Sequence, residues 1–258
     1  MTANALAELI RVHRPCVVLT GAGVSTESGV PDFRSAGGVW AQYDPFEVAT
    51  IEAFARDPER VWEFYGRRLD VLADVEPNAA HHALAALEAA GFVRTVITQN
   101  VDGLHTRAGS RDVIEVHGSI ATASCPSCGR VEPRERVREL LPLPRCAACG
   151  AVLKPDVVMF GELLPEAALD RATSLAAAAG LLLVVGSSLQ VWPVAGLPEE
   201  TLAHGGTLAI VNREPTPYDY RASLVLHESA GAALSRLRAV LLGERPDRVD
   251  SDEQPHPA

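Results

Sequence analysis

Four cysteines stand in two pairs, Cys125-Pro-Ser-Cys128 and Cys146-Ala-Ala-Cys149, with seventeen residues between the pairs. Two residues between paired thiolates let a tight knuckle aim both sulfurs at one metal ion, and two knuckles complete a tetrahedral shell. Gly129 and Gly150 follow directly after the pairs, where a knuckle needs permissive backbone. Four thiolates leave zinc no position for water or substrate, so the spacing predicts a structural Zn2+ held by Cys125, Cys128, Cys146 and Cys149. Binding of that kind is worth on the order of 10 kcal/mol, enough to order a lobe too small to fold alone. The fifth cysteine, Cys16, lies in an apolar run and reads as packing. By itself such a zinc lobe would equally suit a binding module.

A second set of residues points to a nucleotide. The apolar run 16–20 leads into Gly21-Ala22-Gly23, and free backbone N–H groups in a turn after a strand can receive phosphate. Thr26 stands where the dehydrogenase pattern G-x-G-x-x-G has its third glycine, and no strand ending in an acidic residue follows about twenty residues later. Hydride transfer is therefore disfavoured. Gln99, Asn100 and Asp102 follow a second apolar run, Gly186, Ser187 and Ser188 a third, and His117 sits before Gly118 at another strand end. Those are the carboxyl ends at which parallel sheets bind ligands. An imidazole with a pKa of about 6.5 suits proton transfer at neutral pH.

These residues need a sheet to hold them. Buried strands are predicted at 16–20, 92–98, 181–186, 207–211 and near 222–226, separated by helical stretches. Short apolar strands alternating with helices imply a parallel sheet covered on both faces. An amphipathic helix is predicted over 4–13. Asp57 can cap a helix that has Pro58 at its first position and Val61, Tyr65, Leu69 and Leu72 as its buried stripe. Asn78 can cap the next, closed by Gly91, and Gly180 and Gly243 sit just past two later helices. The stretches 31–90 and 119–155 break the alternation and read as insertions. The expected fold is α/β, a Rossmann-like doubly wound parallel sheet with a smaller inserted zinc-binding and helical lobe. One catalytic domain would span 1–242, its large lobe drawn from about 1–30, 91–118 and 156–242. The charged, Pro-containing stretch 243–258 is expected to be a disordered tail.

Hydrophobic residues make up 47% and charged residues 22% of the 258, enough to bury a full core. A net charge of −10 without any basic run argues against nucleic-acid binding. The start lacks the pattern of a secretory signal, and the longest apolar run, 175–186, is too short for a membrane span. A cytoplasmic location without a membrane partner is expected, with cysteines as ligands rather than disulfides.

Several polar motifs occur together: GAGVSTESGVPDFRS (21–35), TQNVDGLH (98–105), EVHGS (115–119), the two cysteine pairs, KPDVVMFGE (154–162), GSSLQVWP (186–193) and VNREPTP (211–217). In this order they resemble the sirtuins, NAD-dependent protein-lysine deacylases, over about residues 5–242. The resemblance implies NAD as co-substrate, one structural zinc, acyl-lysine proteins as partners, and nicotinamide and O-acyl-ADP-ribose as products. His117 resembles the catalytic histidine, which deprotonates a ribose hydroxyl after the acyl oxygen has attacked the ribose carbon bearing nicotinamide. Asn100 would position the ribose and the catalytic water region, Asp102 would accept from the nicotinamide amide, and Gln99 and Val101 would flank them. Gly21, Ala22, Gly23 and Ser25 would form the phosphate turn. Asp32, Phe33, Arg34 and Trp40 would belong to the loop over NAD, Phe33 shielding the reactive carbon from water. Gly186, Ser187 and Ser188 would hold phosphate or ribose, and Asn212, Arg213, Glu214 and the backbone near Ala230 the adenosine end. Val157, Val158, Phe160 and Gly161 resemble the segment that pairs with the substrate backbone as an added strand. Lys154, Met159 and Ser187 depart from the arginine, large aromatic and threonine more usual in those motifs.

The stretch 49–69 further resembles the subgroup that removes succinyl and malonyl groups. Tyr65 and Arg68, three apart on the predicted helix, share a face, while Arg67 points about a hundred degrees away. The resemblance makes this pair the receptor of the distal acyl carboxylate, with Ala49 leaving room. A guanidinium fork matches a carboxylate, and such a bond contributes about 1.5–3 kcal/mol. Succinyl- and malonyl-lysine are the expected substrates, with deacetylation retained. The alternatives are a mono-ADP-ribosyltransferase on the same fold, and a zinc-lobe binding module without turnover, against which Asn100, Asp102 and His117 together argue.

Overall fold

Every residue of β1 (Cys16–Thr20) is buried, as a strand covered on both faces requires. The computed structural model describes residues 2–244; the expectation for a disordered tail falls almost wholly outside them. β1 pairs in parallel with β2 (Val93–Thr98) on one side and with β7 (Leu181–Val185) on the other. With β3 (Val113–Glu115), β8 (Thr207–Val211) and β9 (Leu224–Leu226) they form a parallel sheet of order β3-β2-β1-β7-β8-β9. Successive side chains alternate between faces. Cys16, Val18, Leu181, Leu183 and Ala209 pack with α1 (Thr2–Val12), α5 (Ala79–Ala89) and α10 (Ala230–Leu242). Val17, Leu19, Leu182, Val184 and Leu208 pack with α8 (Glu166–Ala177) and α9 (Leu197–Ala203). The strand order reverses at β1, and at such a switch point a crevice opens at the carboxyl ends of the strands.

A second core lies beside the first. β4 (Gly118–Ser124) pairs antiparallel with β5 (Val131–Pro133) and β6 (Lys154–Val157). Around them stand α2 (Pro45–Val48), α3 (Ile51–Arg56), α4 (Pro58–Ala73) and α7 (Arg134–Glu139), while α6 (Leu104–Arg107) follows β2. Val61, Trp62, Leu69 and Leu72 of α4 are buried with Leu153 and Met159, and the Trp62 Nε1–H donates to Leu153 O at 2.7 Å. Asp57 caps α4 by accepting from Arg60 N, with Pro58 at its first position. Asn78 caps α5 in a box that His81 completes.

The differences from the sequence reading are local. Residue 186 does not extend β7, because Gly186 is left-handed (φ 62) and turns the chain. Gly180 is no helix cap: its φ is not left-handed, and a Cβ there would meet Arg14 O at 2.6 Å, so it serves close packing. Gly91 and Gly243 are left-handed (φ 76 and 70). The strand expected to end at His117 stops at Glu115 as β3, and the strands of the small sheet have no counterpart in the sequence reading. Among the described residues no helix is long and apolar enough to cross a membrane.

Candidate active site

The carboxyl ends of the parallel strands and the inner edge of the second core enclose a cleft of about 440 Å3, a size that suits a small-molecule site. Gly21, Ala22, Gly23 and Ser25 enter it after β1, Gln99, Asn100, Val101 and Asp102 after β2, and His117 beyond β3. Gly186, Ser187 and Ser188 follow β7, Asn212, Arg213 and Glu214 follow β8, and Ala230 opens α10. Asp32, Phe33, Arg34 and Trp40 close over them, and Tyr65, Arg68, Val157, Val158, Phe160 and Gly161 line the opposite wall. Leu164 also lines the cleft, as do Glu162 and Trp192, which lie inside the quoted motifs but carry no role in the sequence reading.

The glycine turn is shaped by its neighbour. A Cβ on Gly21 or Gly23 would lie 2.8 Å from Gly186 O, and Gly23 N donates to that oxygen at 2.9 Å. The two turns therefore press backbone on backbone. On the loop, Asp32 Oδ1 accepts the N–H groups of Arg34 and Ser35 at 2.9 and 2.8 Å, which holds Phe33 toward the cleft.

His117 Nδ1 lies 3.0 Å from Gln99 O. A carbonyl only accepts, so Nδ1 carries the proton and Nε2 is left with its lone pair. Burial pushes the imidazole below its usual 6.5, with the Gln99 contact partly opposing. A neutral base is the result. Gln99 itself is fixed by its Nε2 donating to Ser187 Oγ at 2.7 Å.

Behind Asn100 and Asp102 runs a polar chain with a defined direction. Asn78 N donates to His81 Nδ1 at 3.2 Å, which leaves the His81 proton on Nε2, 3.4 Å from Ser25 Oγ. Ser25 Oγ donates to Asp102 Oδ2 at 2.8 Å and accepts from Asn100 Nδ2 at 3.0 Å. Leu104 N donates to Asp102 Oδ1 at 3.0 Å. His105 stacks edge-on against His81, ring centres 4.8 Å apart, and burial pushes the two down to about 3 and about 4. Neither histidine carries a role in the sequence reading, although His105 closes the motif 98–105 and His81 stands at the third position of an Asn-capped helix.

Tyr65 and Arg68 stand on one face of α4 as expected. Tyr65 is 4% exposed, and burial pushes its hydroxyl up to about 12. The Arg68 guanidinium lies 4.9 Å from the Phe33 ring centre and 5.8 Å from that of Phe64. Burial lowers its pKa, with Tyr65 and then Asp102 opposing. Among the described residues no carboxylate pairs with it. Arg67 points elsewhere, bonding Glu63 at 2.6 Å and the Tyr43 hydroxyl at 2.8 Å. A largely buried cation that Asp102 only partly offsets is costly unless a ligand supplies a carboxylate.

The segment 157–161 is partly committed already. Val158 N donates to His117 O and Phe160 N to Ala49 O, both at 2.9 Å, while Phe160 O accepts from Ile51 N at 3.0 Å. Among the described residues, Val158 O and the Gly161 backbone remain without partners. Lys154 Nζ braces the segment through Pro155 O, Val157 O and Glu162 at 2.9–3.0 Å. Met159 is buried in the second core and also lines the cleft, so its departure from a large aromatic alters the cleft wall from within.

The four paired cysteines converge away from the cleft. Their sulfurs all lie within 4.8 Å of one another, with contacts of 3.4, 3.5 and 3.7 Å. A tetrahedron with metal–sulfur bonds of about 2.3 Å has edges of about 3.8 Å, so the donor set fits zinc. Each knuckle repeats one geometry: Gly129 and Gly150 are left-handed (φ 74 and 76) and donate to Cys125 O and Cys146 O at 2.9 and 2.8 Å.

The Sir2 family model matches residues 21–193. The NAD-dependent protein deacylase 2 of Pyrobaculum aerophilum is 49% identical over 232 residues, covering 90% of this chain and 93% of that protein. A solved mutant Sir2 homologue in complex with ADP-ribose superposes with a TM-score of 0.89 at 42% identity, covering 93% of this chain and 96% of that one. A solved Sir2 protein with a deacetylated peptide and 3'-O-acetyl-ADP-ribose gives 0.89 at 39% identity, covering 92% and 97%. Fold, cleft, metal knuckles and relatives agree: the chain belongs to the Sir2 family, the sirtuins.

Proposed function

We propose that this chain is an NAD-dependent protein-lysine deacylase that accepts succinyl- and malonyl-lysine as well as acetyl-lysine, with His117 as its base. The observation that supports it most is the pairing, in one cleft, of His117, whose Nδ1–H is committed to Gln99 O, and the Arg68 guanidinium, which among the described residues forms no salt bridge. NAD, when bound, supplies the electrophilic ribose carbon and the hydroxyl that carries the acyl group away. The glycine turn with Ser187 and Ser188 holds phosphate and ribose, and Asn212 and Glu214 hold the adenosine end. Asn100 orients the ribose, Asp102 receives the nicotinamide amide, and Phe33 keeps water from the reacting carbon. His117 Nε2 takes the proton of the ribose hydroxyl. Val158 O and the Gly161 backbone receive the substrate chain as an added strand. Tyr65 and Arg68 bind the distal carboxylate, with the buried Ala49 leaving space.

Succinyl-, malonyl- and acetyl-lysine peptides, incubated with and without NAD and scored by mass, test this reading. Free lysine together with acyl-ADP-ribose, formed with NAD alone, is expected. ADP-ribose attached to the protein partner would instead indicate a transferase. Lysine release without NAD would refute the proposal.

A further inference from the structure

We infer that Glu27 is a positioning residue for the nucleotide: its carboxylate ties the glycine turn to the first turn of α10 and sets the spacing of two walls of the cleft. Glu27 lies on the 3-10 turn Thr26–Ser28, directly after the glycine turn. Its Oε2 accepts the Gly231 N–H at 2.6 Å across 204 residues of chain. Glycine is a poor helix residue, yet Gly231 is the second residue of a thirteen-residue helix. The contact explains it, because a Cβ at 231 would lie 2.4 Å from Glu27 Oε2. Only glycine admits the carboxylate there. A negative group is also attracted to the positive end of a helix. The helix's own cap is weaker, with Ser229 Oγ 3.4 Å from Ala232 N.

Both ends of this tether reach the cleft. Ala230, next to Gly231, lines it beside Asn212 and Glu214, and Gly23 and Thr26 line it from the other side. Thr26 Oγ1 donates to Gly23 O at 3.0 Å, so a shift of residues 26–28 moves the glycine turn. Acyl-lysine recognition, by contrast, sits on α4 and residues 157–161. Loss of the tether should thus loosen the nucleotide and leave the peptide alone.

The inference rests on reading the cleft as an NAD site, and the test separates the two. ADP-ribose binding is measured by calorimetry, and KM for NAD and for acyl peptide by steady state, in wild type, Glu27→Ala, Glu27→Gln and Gly231→Ala. Glu27→Ala should weaken ADP-ribose and raise KM for NAD by about tenfold, the worth of a charged hydrogen bond, with KM for peptide unchanged. Glu27→Gln keeps an acceptor oxygen at the same reach without the charge and should recover part of the loss. Gly231→Ala, which displaces the carboxylate from the other side, should reproduce the defect of Glu27→Ala. Unchanged ADP-ribose affinity in Glu27→Ala, no recovery in Glu27→Gln, or an equal rise in KM for peptide would each overturn the tether. A wild type that binds no ADP-ribose would fell the NAD reading and this inference with it.

Discussion

Replacing Arg68 by methionine separates recognition of an acyl carboxylate from everything else the guanidinium does. Two contributions must be distinguished. The guanidinium rests 4.9 Å from the Phe33 ring centre, and that contact serves every acyl substrate alike. A cation over an aromatic face contributes about 0.5–1 kcal/mol when exposed and about 2 kcal/mol when desolvated, so kcat/KM for an acetyl peptide should fall about two- to thirtyfold. The second contribution exists only when the acyl chain ends in a carboxylate. A charge-assisted bond is worth about 1.5–3 kcal/mol, or about 10- to 150-fold. The ratio of succinyl to acetyl kcat/KM should fall by that factor in Arg68→Met, since the Phe33 term cancels in the ratio. Tyr65→Phe removes one neutral donor, about 0.5–1.5 kcal/mol, and should lower the same ratio about two- to tenfold. The assay is mass-detected turnover of limiting acyl peptide at saturating NAD. If both peptides lose activity in the same proportion, the guanidinium is a loop-packing group and acid recognition lies elsewhere.

The other predictions concern the base, the buried histidines and the metal. His117→Ala should cost about 10²- to 10⁴-fold in kcat, the usual worth of a positioned base; undiminished lysine release would end its candidacy. Because burial holds His117 below 6.5 and the neutral ring is the working form, kcat/KM should climb as pH rises through that lowered value and be level at neutral pH. A limb centred on the alkaline side would contradict this. Burial pushes His105 from its ordinary 6.5 down to about 3 in the fold. Between those values the unfolded chain binds the extra proton, so stability should fall as pH drops from 6.5 toward 3 and hold steady above. Urea midpoints of wild type and His105→Gln should show a shallower acid slope in the variant; parallel slopes would exclude the histidine as the cause. Cys146→Ser or a strong chelator should unfold the small lobe, lowering Tm by many degrees, given metal binding of order 10 kcal/mol. An unchanged Tm would mean that the knuckles hold nothing.

What the sequence made legible followed from burial on two faces. β1, β7 and β8 are apolar at nearly every position because helices cover both sides of them, and a run of that kind survives without context. β3 has three residues, one of them Glu115, too few to show any period. β4 reads GSIATAS with small and polar residues; nothing marks it as a strand until β6 pairs with it from thirty or more residues away. Gly21, Gln99, Gly186 and Asn212 follow the ends of their own strands, and the roles of the other motif residues came from the resemblance alone, whereas the chain from His81 through Ser25 to Asp102 joins residues 56 and 77 positions apart. No local spacing encodes such a link. Gly180 shows the same limit in reverse: its place after a helix suggested a cap, while the real demand on it comes from the backbone of Arg14.

The metal sits apart from the cleft, yet it bears on the chemistry through the chain that crosses between the two sheets. His117 occupies that crossing, after β3 of the parallel sheet and before β4 of the antiparallel one. Its ring is held from the large sheet by Gln99 O and its backbone from the small lobe by Val158 N. Gly118 makes the crossing possible: it is left-handed (φ 74), and a Cβ there would lie 2.1 Å from Asp156 O, so β4 and β6 can come together only at a glycine. The far end of β4 runs straight into Cys125, and β6 begins five residues after Cys149. Zinc therefore clamps the two strands at one end while the imidazole hangs from the other. A fully thiolate-bound ion has no open position for catalysis, but the strands it clamps fix where the base stands relative to Gln99 and to residues 157–161. On that ground, partial metal loss should lower kcat before it lowers the bulk helical content, because the antiparallel pair loosens while the parallel sheet keeps the packing on both its faces.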